Sequence, residues 1–116
     1  MIYVSSPYSH ESRSVQDARR IASCSYVAQL LKQGTIAFSP VGHGAIVERD
    51  SGEMFVWDKW MAHSLHVLSH CVEVHVLKVE GWHQSGGVLR EIEEAGRLKI
   101  PLTFIDAALL ELPEGA

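Results

Sequence analysis

The stretch VEVHVLKVEGWHQSGGVLREIEEAGRL, residues 72–98, carries the pattern on which the fold turns. Its first eight residues, Val72 to Val79, are rich in β-branched side chains and predict a strand. Gly81 to Gly87 then supplies turn and loop residues, and from Val88 the spacing changes to that of a helix. Val88, Ile92, Ala95 and Leu98 recur every three or four residues and form its inward face up to Leu98. Leu102 to Ile105 follows as another short apolar strand. A strand, a helix and a strand in this order cannot be joined as a hairpin, so the two strands run parallel. Working outward, Ile2 to Ser5 predicts a strand that stops at Ser5-Ser6-Pro7-Tyr8-Ser9. Val15 to Gln33 predicts a helix with Ile21, Cys24, Val27, Ala28 and Leu31 inward and Gly34 as its stop. Thr35 to Ser39 predicts a strand ended by Pro40, and Phe55 to about Ser69 a further helix. Between them, Gly42-His43-Gly44 through Gly52 predicts an irregular, mobile lid. The sum is one α/β domain over residues 1–116, with a mostly parallel sheet of four to five strands covered by helices on both faces.

Composition narrows the function. With 116 residues, 47% hydrophobic and 21% charged, the chain is a single globular unit rather than a disordered one. Ten Lys+Arg against fourteen Asp+Glu give a net charge of −4, and the basic residues are scattered, which argues against a nucleic-acid surface. Cys24 and Cys71 lack metal-type spacing and read as core filler in a reducing compartment. Neither a signal-peptide pattern nor a membrane-length apolar run is present, so a cytoplasmic protein with no membrane partner is expected.

In an open parallel sheet the ligand lies beyond the carboxyl ends of the strands. Four segments occupy those places: SSPYS, SPVGHG, EGWHQSGG and Asp106. In the third, Gly86 and Gly87 permit close backbone approach, and the next helix offers free N–H groups and a positive dipole end. On that helix Glu91 falls at the edge of the inward face, whereas Arg90, Glu93, Glu94 and Arg97 are expected to point outward. Glu91 is thus a candidate nucleophile, and a first-turn carboxylate that merely stabilises its helix is the simpler reading.

These residues resemble nucleoside 2-deoxyribosyltransferases and the related nucleoside 5′-monophosphate N-glycosidases. The resemblance spans residues 2–105 and rests on Ile2-Tyr3-Val4-Ser5-Ser6-Pro7-Tyr8, on Phe38-Ser39-Pro40 with His43, on Gly81-Trp82, and on Ser85-Gly86-Gly87-Val88-Leu89-Arg90-Glu91 with Ala95. It implies a small flavodoxin-like or Rossmann-like three-layer sandwich with no metal or organic cofactor. It further implies that Glu91 attacks the anomeric carbon of a nucleoside or nucleotide, that Tyr3 orients Glu91, and that the covalent sugar passes to water or to another base. Ser85 stands where the transferases carry an acid and the monophosphate hydrolases a serine, which points to a 5′-phosphate. Ser5, Ser6, Pro7, Tyr8 and Ser9 would join it in binding substrate. The resemblance also calls for an aspartate in the helix before the third strand, and Ser64 occupies that place. Asp58 or His43 would have to protonate the base instead, and a non-catalytic nucleotide-binding or sensing protein is the alternative.

Other side chains complete the candidate set. Arg19 on the first helix is the favoured partner for a phosphate, and Trp82 is placed to stack on a base. His63, His66 and His70 share a helical stripe with Lys59, opposite Trp57, Met61, Leu65 and Leu68, and are expected to face solvent or another subunit rather than a metal. Trp60, turned partly from the core, would be buried by a second copy in a homodimer or larger homo-oligomer, the arrangement the resembled enzymes also use.

Overall fold

A computed structural model describes residues 1–115; Ala116, the last residue of the expected 1–116 domain, lies outside the described residues. Four parallel strands, β1 (Ile2–Ser5), β2 (Ala37–Phe38), β3 (Glu73–Lys78) and β4 (Leu102–Asp106), lie in the order β2-β1-β3-β4. Four helices connect them: α1 (Arg13–Lys32), α2 (Pro40–Ser51), α3 (Trp57–Leu68) and α4 (Gly86–Arg97). Short 3-10 turns at Trp82–Gln84 and Ala107–Leu109 precede α4 and follow β4.

The alternation of side chains along each strand divides the core in two. Tyr3, Val74 and Val76 face α3 and α4, where Leu68, Val88 and Ala95 cover them. Val4 and Leu77 face the other way, beneath Tyr26 and Leu30 of α1. The result is a three-layer α/β sandwich, as the strand–helix alternation predicts.

Two expectations change. Helix α1 buries Ala22, Ser23, Tyr26 and Leu30; of the expected stripe Ile21, Cys24, Val27, Ala28 and Leu31, Val27 packs against the core, whereas Cys24 and Ala28 are exposed and Leu31 is 57% exposed. The rotation is set by polar groups that find partners inside. The Tyr26 hydroxyl meets His75 Nδ1 at 2.6 Å, and the Ser23 hydroxyl meets that of Ser39 at 2.5 Å. A buried hydroxyl costs little once it is bonded, so it can displace an apolar stripe from the inward face. In consequence Cys24 is exposed, whereas Cys71 is buried as expected.

The expected lid is instead helix α2. Ser39 caps it by accepting the Gly42 N–H at 3.0 Å, Pro40 sits in the first turn, and Gly52 ends it with φ 75°. Of its two interior glycines, each unfavourable in a helix by about 1 kcal/mol, Gly42 answers to close packing, whereas Gly44 has room for a side-chain carbon beside Trp60. A Cβ on Gly42 would lie 2.8 Å from the Cys24 sulfur, and one on Gly44 would lie 3.7 Å from the Trp60 ring.

Ser39 therefore serves both as the cap of α2 and as the partner of buried Ser23. Ser39→Ala is expected to destabilise the chain by about 1–2 kcal/mol, measured by urea unfolding. An unchanged midpoint would remove the capping role assigned to it.

Candidate active site

Every strand runs its carboxyl end toward one edge of the sheet, and a cleft of about 730 Å³ opens there. The loop after β1, the first turns of α2 and α4, and the aromatic start of α3 supply its walls. At its base lies Glu91, only 4% exposed. Helical spacing accounts for this position, because Val88, Glu91 and Ala95 fall on one stripe and are all buried.

Period-two spacing then does the rest from the opposite side. Tyr3 and Ser5 are two residues apart on β1 and so share the face that looks at α4. The Tyr3 hydroxyl donates to Glu91 Oε2, and the Ser5 hydroxyl donates to Oε1 at 2.7 Å. Both carboxyl oxygens are thereby fixed, and α4 is tied to the central strand. Burial pushes the Glu91 carboxyl up to about 7, while the two hydroxyl bonds pull it down. Desolvation wins this contest by a few kcal/mol, taking about 1.4 kcal/mol per pH unit. Burial first, and the neighbouring Glu91 second, hold the Tyr3 hydroxyl well above its ordinary range, so it remains a donor.

Around this carboxyl the cleft is rich in donors. Ser85 caps α4 by accepting the Val88 N–H at 3.2 Å and, with Gly86 and Gly87, lines the cleft. A Cβ on Gly86 would meet nothing within 4 Å, so that part of the helix start is open to a ligand. Ser6 also lines the cleft; it is 7% exposed, and its hydroxyl is buried with no hydrogen-bond partner. Arg13, Arg19 and Arg49 also line the cleft, with Arg13 paired to Asp17 at 3.5 Å and Arg49 to Asp50 at 3.1 Å. Two N–H groups of Arg19 hold the carbonyls of Ser9 at 2.8 Å and Glu80 at 3.2 Å, which clips the loop after β1 to the loop after β3. Gly81 beside it takes φ 85°, a left-handed conformation that favours glycine, and a Cβ there would also displace the Arg19 guanidinium.

The structure thus gathers Glu91, Ser6, Tyr8, Ser9, Arg19, Ser85, Gly86 and Gly87 at one cleft, with Tyr3 behind Glu91. It places the remaining candidates elsewhere. Ser5 is fully buried, gives its only proton to Glu91 and is not among the residues lining the cleft. Pro7 is fully buried beneath the loop rather than on the cleft wall. Asp58 is exposed in the first turn of α3, outside the cleft lining. His43 also lies outside it, stacked 5.4 Å from His63. Trp82 packs against the core, 5.7 Å from Phe104, and is not among the residues lining the cleft. Asp106 caps the 3-10 turn after β4. Glu94, expected outside, is buried under Arg97 and Arg90, and the Arg97 bond holds its carboxyl below the usual range.

Several cleft residues escape the sequence reading, His10, Gln16 and Glu48 among them, whereas Trp57 and Trp60 line the cleft on α3, the helix expected to flank it. Glu48 is the most hidden, because it belongs to the segment expected to be irregular. Ser64, standing where the resemblance calls for aspartate, is buried in the cleft wall beside the Tyr3 hydroxyl. Among the described residues no cluster of three His, Cys, Asp or Glu is arranged to hold a metal ion. No helix among them is long and apolar enough to cross a membrane.

A family model described as a domain of unknown function, DUF1937, matches residues 1–106, and the chain belongs to that family. The match takes in all four strands and every residue of the cleft. No curated protein matches the chain.

The raised Glu91 carboxyl has a thermodynamic consequence with a definite sign. The unfolded carboxyl ionises near 4.5 and the folded one near 7, so in that window the folded chain holds more protons and stability falls as pH rises. The melting temperature of Glu91→Gln minus that of the wild type should therefore grow between pH 5 and pH 8. A difference that does not vary with pH contradicts the burial effect.

Proposed function

We propose that the chain is an N-glycosidase of a nucleoside 5′-monophosphate, with Glu91 as the nucleophile. The observation that carries this reading is a buried carboxylate, fixed at both oxygens by Tyr3 and Ser5, at the base of a cleft whose other groups suit an anion. Replacement at an anomeric carbon with retention needs such a carboxylate beneath an oxocarbenium-like centre. The start of α4, the unpartnered Ser6 hydroxyl and the guanidinium groups of the cleft offer the phosphate its donors. The sequence resemblance to the deoxyribosyltransferase and N-glycosidase families supports the same assignment.

In the first step a Glu91 oxygen bonds to C1′ and the C1′–N bond breaks. The base leaves with the electron pair and takes up one proton. Water then attacks C1′, losing one proton, and Glu91 returns as a carboxylate. A second base in place of water would make the same site a transferase. Tyr3 and Ser5 hold the carboxylate in line through both steps and stabilise its negative charge when it is released.

A second reading has its own observation. Ser64 replaces the expected aspartate, and neither Asp58 nor His43 reaches the cleft to replace it. A protein that binds the nucleotide and does not cleave it would show binding without base release.

The quaternary expectation changes its footing. Trp60 is held within the chain by Glu48 and by α2, whereas Trp57 at the mouth of the cleft is 53% exposed, beside Met54 and Val56. A homodimer or larger homo-oligomer would cover these three side chains. Light scattering behind a sizing column at pH 7.5 and micromolar concentration should give a multiple of the chain mass, and a monomer would remove this part of the proposal.

Base release, followed by chromatography, tests the chemistry. Glu91→Ala should abolish it and Glu93→Ala should leave it nearly unchanged. Because only the ionised Glu91 can attack, kcat/KM should climb about tenfold per pH unit below 7 and level above it. Monophosphates should bind more tightly than the matching nucleosides, and Ser85→Asp should invert that order. Full activity in Glu91→Ala would sink the nucleophile assignment.

A further inference from the structure

The cleft holds a second carboxylate whose environment is as specific as that of Glu91. Helices α2 and α4 follow the strands on either side of β1, so Glu48 and Glu91 enter the cleft from its two flanks. Glu48 ends a stripe formed by Val41, Gly44 and Ala45, spaced three and four apart, all of which line the cleft. That stripe is apolar and small up to Glu48, with aromatic rings from the start of α3 beside it and Arg49, paired with Asp50 at 3.1 Å, next along the helix. A polar group set there has a strong bearing on what can bind.

Glu48 is anchored through one oxygen only. Its Oε2 accepts the Phe55 backbone N–H at 3.1 Å and the Trp60 indole N–H at 2.8 Å, and Oε1 takes no hydrogen bond from the described residues. Two donors fill the lone pairs of Oε2 and lock the side chain, which leaves Oε1 as an acceptor on the cleft wall. The exposed face of Trp57, with Phe55 and Met61, provides apolar surface for a planar ring.

We propose that Glu48 is the specificity-determining residue for the leaving base. Its Oε1 accepts from an exocyclic amino group, so the site takes 6-amino purines or 4-amino pyrimidines in preference to their oxo counterparts. An oxo group at the same place would set two acceptors against each other in a partly desolvated wall, which costs binding. This inference rests on the nucleotide reading given above.

Calorimetry on Glu91→Gln protein, which leaves the ligand intact, tests it with the pairs dAMP against dIMP and dCMP against dUMP. Within at least one pair the amino member should bind about tenfold or more tightly. Adding Glu48→Gln should cancel or invert that preference. The amide oxygen would keep the Phe55 and Trp60 donors, and its NH₂ would face the cleft and donate to an oxo group. Glu48→Ala should flatten the preference as well, with melting curves confirming that both variants fold. Nucleotide binding with the same preference in all three proteins overturns the role of Glu48 and leaves the nucleotide site standing. Absence of binding by any of the four nucleotides overturns both together.

Discussion

The hydrogen bonds from Tyr3 and Ser5 to the two oxygens of Glu91 are the constraint on which the site depends. A carboxyl this buried would be expelled from an apolar core, or kept permanently neutral, unless donors met it from within. Here the central strand supplies two hydroxyls at the period that faces them both toward α4. The same bonds fix the second turn of α4 against β1, one turn below the open N–H groups at Gly86 and Gly87. The orientation of the Glu91 carboxyl and the placement of α4 are thus one interaction rather than two.

Opposed chemistries meet in a cleft of modest size. On the α4 flank the donors are backbone N–H groups and the Ser85 hydroxyl, suited to negative charge, and α1 adds Arg13 and Arg19. The α2 and α3 flank presents small apolar residues and aromatic rings together with the Glu48 carboxylate, Arg49 and the Ser64 hydroxyl. Arg19 joins the loops that border the two flanks by holding the Ser9 and Glu80 carbonyls. A ligand with a charged end and a flat, hydrogen-bonding end fits such a division. The raised Glu91 carboxyl adds that the site is set against the fold's own stability above about pH 5, a cost often found where a group is positioned for reaction.

The sequence was legible where periodicity and chemistry agreed. Strand–helix alternation led to the parallel sheet, and the position of Glu91 between Val88 and Leu98 on the helical wheel led to its burial. It was illegible where a residue served two purposes. Gly42 and Gly44 look like loop residues, but both lie inside α2, where Gly42 lets the helix approach Cys24, so a helix was hidden and Glu48 with it. Ser23 and Tyr26 look like the polar side of α1, but their bonds to Ser39 and His75 turn them inward. Trp82 and His43 follow strand ends and still miss the cleft, since one packs on Phe104 and the other on His63. Tertiary partners decided each of these, and no local pattern encodes them.

The most direct measurement is a search for the covalent intermediate. Wild-type protein is mixed with a nucleoside 5′-monophosphate, quenched in acid during turnover, digested and analysed by mass spectrometry. The predicted result is a peptide carrying one phosphorylated sugar residue on Glu91, absent from the Glu91→Gln protein. Base released with the sugar never found on Glu91, under conditions that trap an ester on a control glycosidase, would contradict it.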